Sequence, residues 1–282
     1  LKVYIIIPAH NEANFIKETL QSLATQSLLP TKLVVVDDAS TDKTAEIVSE
    51  FSKKFPFISL IKKEAAAEHL PGSKVINAFN TGLDSLDNSY DIICKFDADL
   101  IFPKYYLETI VHSFRENPRL GMAGGFCEIQ KNRKWDLEKL TGKHHIRGAL
   151  KAYRKSCFNS IGGLKPAMGW DTVDELLAQY HGWQIETDDS LRVKHLKPTG
   201  KNYNKTSRYK QGAAFYRLRY GLLITAIASA KLAYKKKSFS FFSDCMMGFT
   251  KATKEKRPYL VTKEEGRFIR DLRWKKMRKK LF

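Results

Sequence analysis

Short apolar runs constrain this chain more than any other feature. Each is halted by a polar, mostly acidic loop and followed by a segment of helical pattern. Val3-Tyr4-Ile5-Ile6-Ile7 stops at Pro8 and gives way to Ala9-His10-Asn11-Glu12. Leu33-Val34-Val35-Val36 stops at Asp37-Asp38-Ala39-Ser40-Thr41-Asp42. Ile92-Ile93-Cys94-Lys95-Phe96 stops at Asp97-Ala98-Asp99. β-Branched runs of this length, bounded by loop residues, read as buried strands. Phe15, Ile16, Leu20 and Leu23 recur at helical spacing and predict a helix over 12–26. Further helices are expected at 42–54 (capped by Thr41 or Asp42), 74–86 and 103–116, and further strands at 57–61 and 120–126. Strands alternating with helices predict an α/β fold: a mostly parallel, Rossmann-like sheet flanked by helices, with right-handed crossovers.

The second half reads less regularly. Residues 130–150 are polar and basic, with no assigned element, and 158–164 is read as a turn. A helix over 173–180 is expected to end at Gly182, with a short strand at 183–185. A polar linker over 199–204 precedes a helix at 213–234. The uncharged part of that helix, 220–230, falls well short of the ~20 residues a membrane span needs, so it is read as packed or interfacial. Thr262-Lys263-Glu264-Glu265 has capping-box spacing and opens a last helix.

The net charge of +19 is unevenly placed. Over residues 201–282 Lys and Arg outnumber Asp and Glu 23 to 5, leaving 26 against 25 before them. The chain therefore divides into a near-neutral body, 1–200, and a basic, mainly helical extension, 201–282, which is expected to meet an anionic membrane surface. Nucleic acid is the alternative anionic partner, but no zinc-finger spacing or RNA-binding signature accompanies the charge, so no specific nucleic acid is expected. Cys94, Cys127, Cys157 and Cys245 are scattered without C-x-x-C spacing, which argues against a structural zinc or redox motif and fits a reducing cytosol. The apolar run 3–7 is too short for a signal peptide, so a cytoplasmic location is expected, peripheral at the inner face of the plasma membrane.

The chemistry-bearing residues gather where strands end. Ligands of open α/β sheets bind at the carboxyl ends of strands. Asp97 and Asp99 offer hard oxygen donors there, suited to Mg²⁺ or Mn²⁺, or they are simply a solvated acidic turn. Pro8, Ala9, Asn11 and Glu12 lie in a loop opening a helix, where backbone groups can hold a nucleotide. Glu12 is equally suited to the positive end of the helix dipole. Lys74 can meet a phosphate as a point charge. Asp171, Asp174 and Glu175 crowd the start of one helix, where they are either dipole-stabilising acids or a catalytic carboxylate.

Five pieces in this order, Pro8-Ala9-His10-Asn11-Glu12, Asp37 to Asp42, Gly72-Ser73-Lys74-Val75-Ile76-Asn77-Ala78, Asp97-Ala98-Asp99 and Trp170-Asp171, resemble the inverting glycosyltransferases of family 2, which have the GT-A fold. The resemblance covers roughly residues 1–196. It implies transfer of a sugar from a nucleotide-diphosphate sugar, UDP-linked, to the hydroxyl of a carbohydrate or lipid-linked acceptor, in envelope polysaccharide or glycolipid synthesis. It implies that Pro8, Ala9, Asn11, Glu12, Asp38, Lys74, Asp97 and Ala98 line the donor site, with Asp38 on the base. Asp99 becomes the direct metal ligand, Asp97 a ribose or metal contact, and His195 a candidate third ligand. The family commonly carries a Glu-Asp pair where Trp170-Asp171 stands. Asp171 is therefore the expected base and Asp174 the second candidate. The missing Glu leaves open a non-catalytic relative that binds nucleotide or sugar. Arg147 is a candidate for diphosphate or acceptor, while His10, His144 and His145 carry little signal.

Overall fold

The computed structural model describes residues 1–64, 73–138, 145–197 and 205–278, without the side chains of 205–207. Gly72, His144, the 199–204 linker and Leu281 lie outside the described residues. Contacts divide the chain into two compact units, Leu1–Pro166 with Trp170–Thr199, and Ala167–Gly169 with Gly200–Phe282.

In the first unit the alternation expected from the sequence is present. The order is β1 (Val3–Ala9), α1 (Ile16–Ala24), β2 (Lys32–Asp38), α2 (Thr44–Lys54), β3 (Ile58–Lys63), α3 (Ser73–Asp84) and β4 (Ile92–Phe96). There follow β5 (Leu100–Ile101), α4 (Tyr106–Glu116), β6 (Leu120–Lys131), β7 (Lys134–Leu137), β8 (Leu150–Arg154), α5 (Lys155–Ser160), α6 (Trp170–Tyr180) and β9 (Gln184–His195). The sheet runs β3-β2-β1-β4-β8-β6-β9-β5, with β7 on β6. Strands β3, β2, β1 and β4 are parallel, as is β6 with β9. Strand β8 joins these two parallel groups by antiparallel pairing to both β4 and β6.

Burial explains the strand pattern. Ile5, Ile6, Ile7, Leu33, Val35, Val36 and Ile93 are shut off from solvent on both faces of the sheet. Each such side chain contributes about 1.5–3 kcal/mol relative to exposure. The runs end where the backbone leaves this double cover, so their polar followers collect along one edge.

Several elements depart from expectation. β8 lies where no element was expected, α5 runs into the stretch read as a turn, and β9 is twelve residues long where a three-residue strand was expected. β8 carries Lys151 and Arg154 within five residues, and so has no apolar signature. Helix α1 begins at Ile16 rather than near 12, because residues 12–15 form a turn closed by the Phe15 and Ile16 N–H groups on the Glu12 carbonyl. Lys43 stands at the cap of α2, without a side-chain cap bond. Asp42 still accepts the Thr44 N–H at 3.0 Å, satisfying one otherwise unpaired donor.

The second unit contains α7 (Lys205–Arg217), α8 (Gly221–Lys235), α9 (Phe239–Lys254) and α10 (Lys263–Arg278). The single helix expected at 213–234 is broken after α7, where Arg219 and Gly221 take left-handed φ values of 55° and 74°. Helix α9 was not foreseen. It crosses α7 at two glycines: a Cβ on Gly212 would fall 1.8 Å from the Cys245 carbonyl oxygen, and one on Gly248 2.0 Å from that of Tyr209. Only glycine permits that approach. The capping box at the start of α10 is formed, with Glu265 accepting the Thr262 N–H at 2.6 Å and Thr262 Oγ1 accepting the Glu265 N–H at 3.2 Å.

Candidate active site

Three clusters meet along the carboxyl edge of β1, β2 and β4. The first joins the loops after β1 and β2. In register Pro8 lies beside Val36 and Ala9 beside Asp37. Asn11 and Ala39 both adopt positive φ, 56° and 57°. The loops are tied by the Asn11 N–H to Ser40 Oγ at 2.9 Å, the Thr41 N–H to Asn11 Oδ1 at 2.8 Å, and His10 Nδ1 with the Asp38 carbonyl oxygen at 2.7 Å. Thr44 Oγ1 accepts the Glu12 N–H at 2.8 Å, and Asp42 Oδ2 the Ala13 N–H at 3.1 Å. Left-handed turns in both loops are thus held by short polar side chains, which shape a rigid rim. The Asp38 carboxylate faces Lys63 at 3.1 Å.

The second cluster is acidic. Glu12 Oε1 meets Lys197 at 3.0 Å, while Glu12 Oε2 is buried with no hydrogen-bond partner among the described residues. Burial raises the Glu12 pKa. The nearby Asp99 and Asp97 carboxylates add to that, against the opposing pull of Lys197. Asp97 is paired with the buried Lys95. Ala98 is buried, and its carbonyl oxygen accepts the Thr19 hydroxyl at 2.8 Å, which fixes the turn between the two aspartates. Asp99 is buried too. β5 pairs Leu100 with His195 of β9, bringing His195 Nε2 to 3.4 Å from Asp99 Oδ2. His195 Nδ1 faces Glu138 Oε2 at 3.3 Å, and Glu138 is held in turn by Arg147.

These residues fit a divalent cation. A carboxylate on Nδ1 holds a histidine with its Nε2 lone pair outward, the usual support of a metal-bound imidazole. In His195 it is Nε2 that faces Asp99. Glu12, Asp97 and Asp99 bring three carboxylates together against two lysines, Lys197 and Lys95, and one buried Glu12 oxygen is left unsatisfied among the described residues. Cys127, Glu138 and His195 also approach within 4.8 Å of one another. Burial pushes the Cys127 thiol up to about 12, and Glu138 is already engaged by Arg147, so this group is better read as the support of His195.

The third cluster surrounds Asp171. Lys95 on β4 and Lys151 on β8 are direct neighbours in register and both are buried. Their Nζ atoms lie 5.3 and 5.7 Å from the Trp170 ring centre, within reach of cation–π attraction. Lys95 pairs with Asp97. Lys151 binds Asp174 at 2.8 and 2.9 Å, Glu175 at 3.3 Å and the Asp171 carbonyl oxygen. Asp174 also accepts the Tyr153 hydroxyl at 2.5 Å. It is fully enclosed, and burial pushes its pKa up to about 6 despite Lys151. Glu175 receives the Ile146 N–H at 2.9 Å and His145 Nδ1 at 2.9 Å. His145 Nε2 lies 3.6 Å from Asp171 Oδ2. Burial opposes the charged imidazole, but Asp171 and Glu175 outweigh it and raise the His145 pKa to about 9. Burial acts to raise Asp171 as well. The His145 hydrogen bond and the Lys151 charge prevail, so Asp171 stays below the usual carboxylate range. Its side chain remains 35% exposed, the most accessible acid of the group.

Most of the expected site residues therefore converge. Lys74 lies in the first turn of α3, on a helix packed against β1 and β2. Sequence reasoning missed Lys95, Lys151, Glu138 and the importance of His145. The one available signal was a lysine inside an otherwise apolar strand, Ile92-Ile93-Cys94-Lys95-Phe96.

The family model described as "Glycosyl transferase family 2" matches residues 4–163. The chain belongs to glycosyl transferase family 2. A probable glycosyltransferase, YdaM of Bacillus subtilis, is 32% identical over 69% of this chain and 47% of its own length. The poly-beta-1,6-N-acetyl-D-glucosamine synthase of Staphylococcus epidermidis is 26% identical over 60% of this chain and 42% of its own length. The chain thus spans somewhat under half the length of these relatives. Among solved structures, a mannosyltransferase from Pyrobaculum calidifontis in complex with GDP-Man and Mn²⁺ superimposes with a TM-score of 0.59 at 17% identity, covering 91% of this chain and 88% of that one. A fragment of S. aureus TarS in complex with UDP-GlcNAc gives 0.59 at 18% identity, covering 83% and 67%. These likenesses establish the GT-A fold: a mixed, helix-flanked sheet.

Proposed function

We propose that this chain transfers a sugar, with inversion, from a nucleoside-diphosphate sugar to a hydroxyl acceptor, with Asp171 as the base. The observation that carries the reading is the placement of an accessible, charged Asp171 beside the Asp97–Asp99 turn through the adjacent Lys95 and Lys151. UDP is the proposed nucleotide, with the loops after β1 and β2 holding the nucleoside and Asp38 facing the base. Pro8, Ala9, Asn11, Glu12, Lys74, Asp97 and Ala98 complete the proposed donor site. Asp99 and His195, with Asp97, would hold Mg²⁺ or Mn²⁺, which supplies positive charge to the leaving diphosphate.

In the proposed step the acceptor oxygen bonds to the anomeric carbon as the bond from that carbon to the diphosphate oxygen breaks. The departing oxygen keeps the electron pair, and the acceptor proton passes to the Asp171 carboxylate. A single displacement inverts the anomeric configuration and needs no sugar–enzyme bond. His145 and Lys151 keep Asp171 ionised and oriented before the acceptor arrives. Asp174 is the weaker candidate, since both its oxygens are occupied by Lys151 and Tyr153 away from solvent.

A carbohydrate or lipid-linked acceptor, in envelope polysaccharide or glycolipid synthesis, is the proposed context. It draws on the relative that makes poly-beta-1,6-N-acetyl-D-glucosamine. The basic extension would hold the enzyme on an anionic membrane, at the inner face of the plasma membrane. A thermal-stabilisation screen of UDP-, GDP- and dTDP-sugars with and without Mn²⁺ tests the donor reading. Metal-dependent stabilisation by a UDP-sugar is expected; no response to any nucleotide-sugar would overturn it.

A further inference from the structure

Helix α8 buries a mixed face, Ile224, Thr225, Ser229 and Ala233, with Thr225 and Ser229 fully shut off from solvent. Its outward face carries Leu222 and Leu223, each 61% exposed, Ile227 at 38% and Tyr234 at 86%. Leu223, Ile227, Ala230 and Tyr234 follow i, i+4, i+7, i+11 spacing and form one apolar stripe along the helix. A surface helix of a soluble body turns a polar face outward, and this stripe does not. Scattered exposed apolar residues need no explanation, but a contiguous stripe marks an interaction surface.

The surroundings identify the partner. Lys231 and Lys235 flank the stripe, and Lys236 and Lys237 follow it, all exposed. Phe239, 84% exposed, continues the apolar surface beyond the turn. No acidic residue lies between Gly221 and Phe239. An apolar stripe with lysines along one flank and at its end, and no acidic residue beside it, matches a phospholipid surface with anionic headgroups. At fifteen residues α8 is about 22 Å long, shorter than the hydrocarbon core, and among the described residues no helix is long and apolar enough to cross a membrane.

We propose that the Leu222, Leu223, Ile227, Tyr234 and Phe239 surface of α8 and its following turn lies in the interface of an anionic bilayer, with Lys231, Lys235, Lys236 and Lys237 on the headgroups. This deepens the membrane partner proposed above and rests on that reading for its role, while donor binding is a separate property of the other unit.

The four native cysteines are buried. An Ile227→Cys variant of the full chain therefore takes an environment-sensitive thiol fluorophore selectively, and Lys53→Cys, at an exposed site in α2, supplies the control. Each is mixed with phosphatidylcholine vesicles with and without phosphatidylglycerol. The expected result is a blue shift at 227 but not at 53, only with phosphatidylglycerol, reduced by salt. In flotation, Leu223→Ser with Ile227→Ser should lower the partition coefficient at least tenfold, by removal of two anchoring side chains. Lys235→Gln, Lys236→Gln and Lys237→Gln should each lower it roughly fivefold. Flotation without a shift at 227 would overturn the assignment of this face. A shift that grows with protein concentration in the absence of vesicles would overturn it in favour of a second copy of the chain. An equal shift on pure phosphatidylcholine would overturn the anionic partner. Thermal stabilisation by donor is read on the same samples. Its absence in the wild type refutes the transferase reading and leaves the docking result standing.

Discussion

Replacing Lys151 with methionine removes the cation bound to Asp174 in the cluster around Asp171. Lys151 is fully buried and bonds both oxygens of Asp174 and one of Glu175. Methionine matches its length but leaves these carboxylates facing each other in a dry site. Breaking a buried ion pair from one side costs about 3–5 kcal/mol, and Glu175 keeps partial compensation from His145 and the Ile146 N–H. The loss should therefore fall near the lower end, about 3 kcal/mol. It should also depend on pH. The Asp174 pKa is already raised from 3.8 to about 6 by burial, with Lys151 opposing. A carboxyl raised on folding contributes stability below its unfolded pKa, and that stability is lost as pH rises through the folded pKa. Without Lys151 the folded pKa rises further. The difference between variant and wild type should then be largest at pH 7–8 and shrink toward pH 5 as Asp174 becomes protonated. Urea unfolding followed by tryptophan fluorescence at each pH reads this directly. Adding Asp174→Asn to Lys151→Met should recover more than half of the deficit at pH 7.5. A loss under about 1 kcal/mol would refute the reasoning that Lys151 neutralises a buried acidic pair. So would a loss that is flat across this pH range.

His145→Gln should remove a pH-dependent contribution. The His145 pKa is raised from 6.5 to about 9, so its stabilisation, about 3 kcal/mol, is complete below pH 6.5 and lost as pH rises through about 9. The wild-type-minus-variant unfolding difference should decline across that window. Glu138→Gln should weaken Mn²⁺ binding 10–100-fold in a calorimetric titration by releasing the His195 ring, with the fold intact by circular dichroism. Asp99→Asn should abolish metal-dependent stabilisation by nucleotide-sugar, whereas Lys74→Ala should only weaken donor binding, by less than about tenfold for one half-buried point charge.

The first half of the fold was legible because β1, β2 and β4 are buried on both faces and read as uninterrupted apolar runs. Their acidic followers marked the edge where ligands collect. β8 was not legible, since Lys151 and Arg154 break its apolar pattern and Lys151 is neutralised by Asp174, 23 positions away. No window of local sequence contains that pairing. His145 was opaque for the same reason, its partners lying 26 and 30 positions on. Asp171 ranked above Asp174 only through the resemblance, since the two are neighbours on one helix turn. Packing separates them, because only Asp174 turns toward Lys151 and Tyr153 and is closed from solvent. In α8 the uncharged run was visible, but which face it buried was decided by α7 and α9, and α9 had not been foreseen.

The most direct test of the central claim is turnover by Asp171→Asn. Release of nucleoside diphosphate from the donor found in the thermal screen is measured with Mn²⁺ present, alongside donor affinity. The account predicts a fall of about 10²–10⁴ in kcat with donor affinity unchanged, since asparagine keeps the shape and cannot take the acceptor proton. A variant that turns over at the wild-type rate would contradict it.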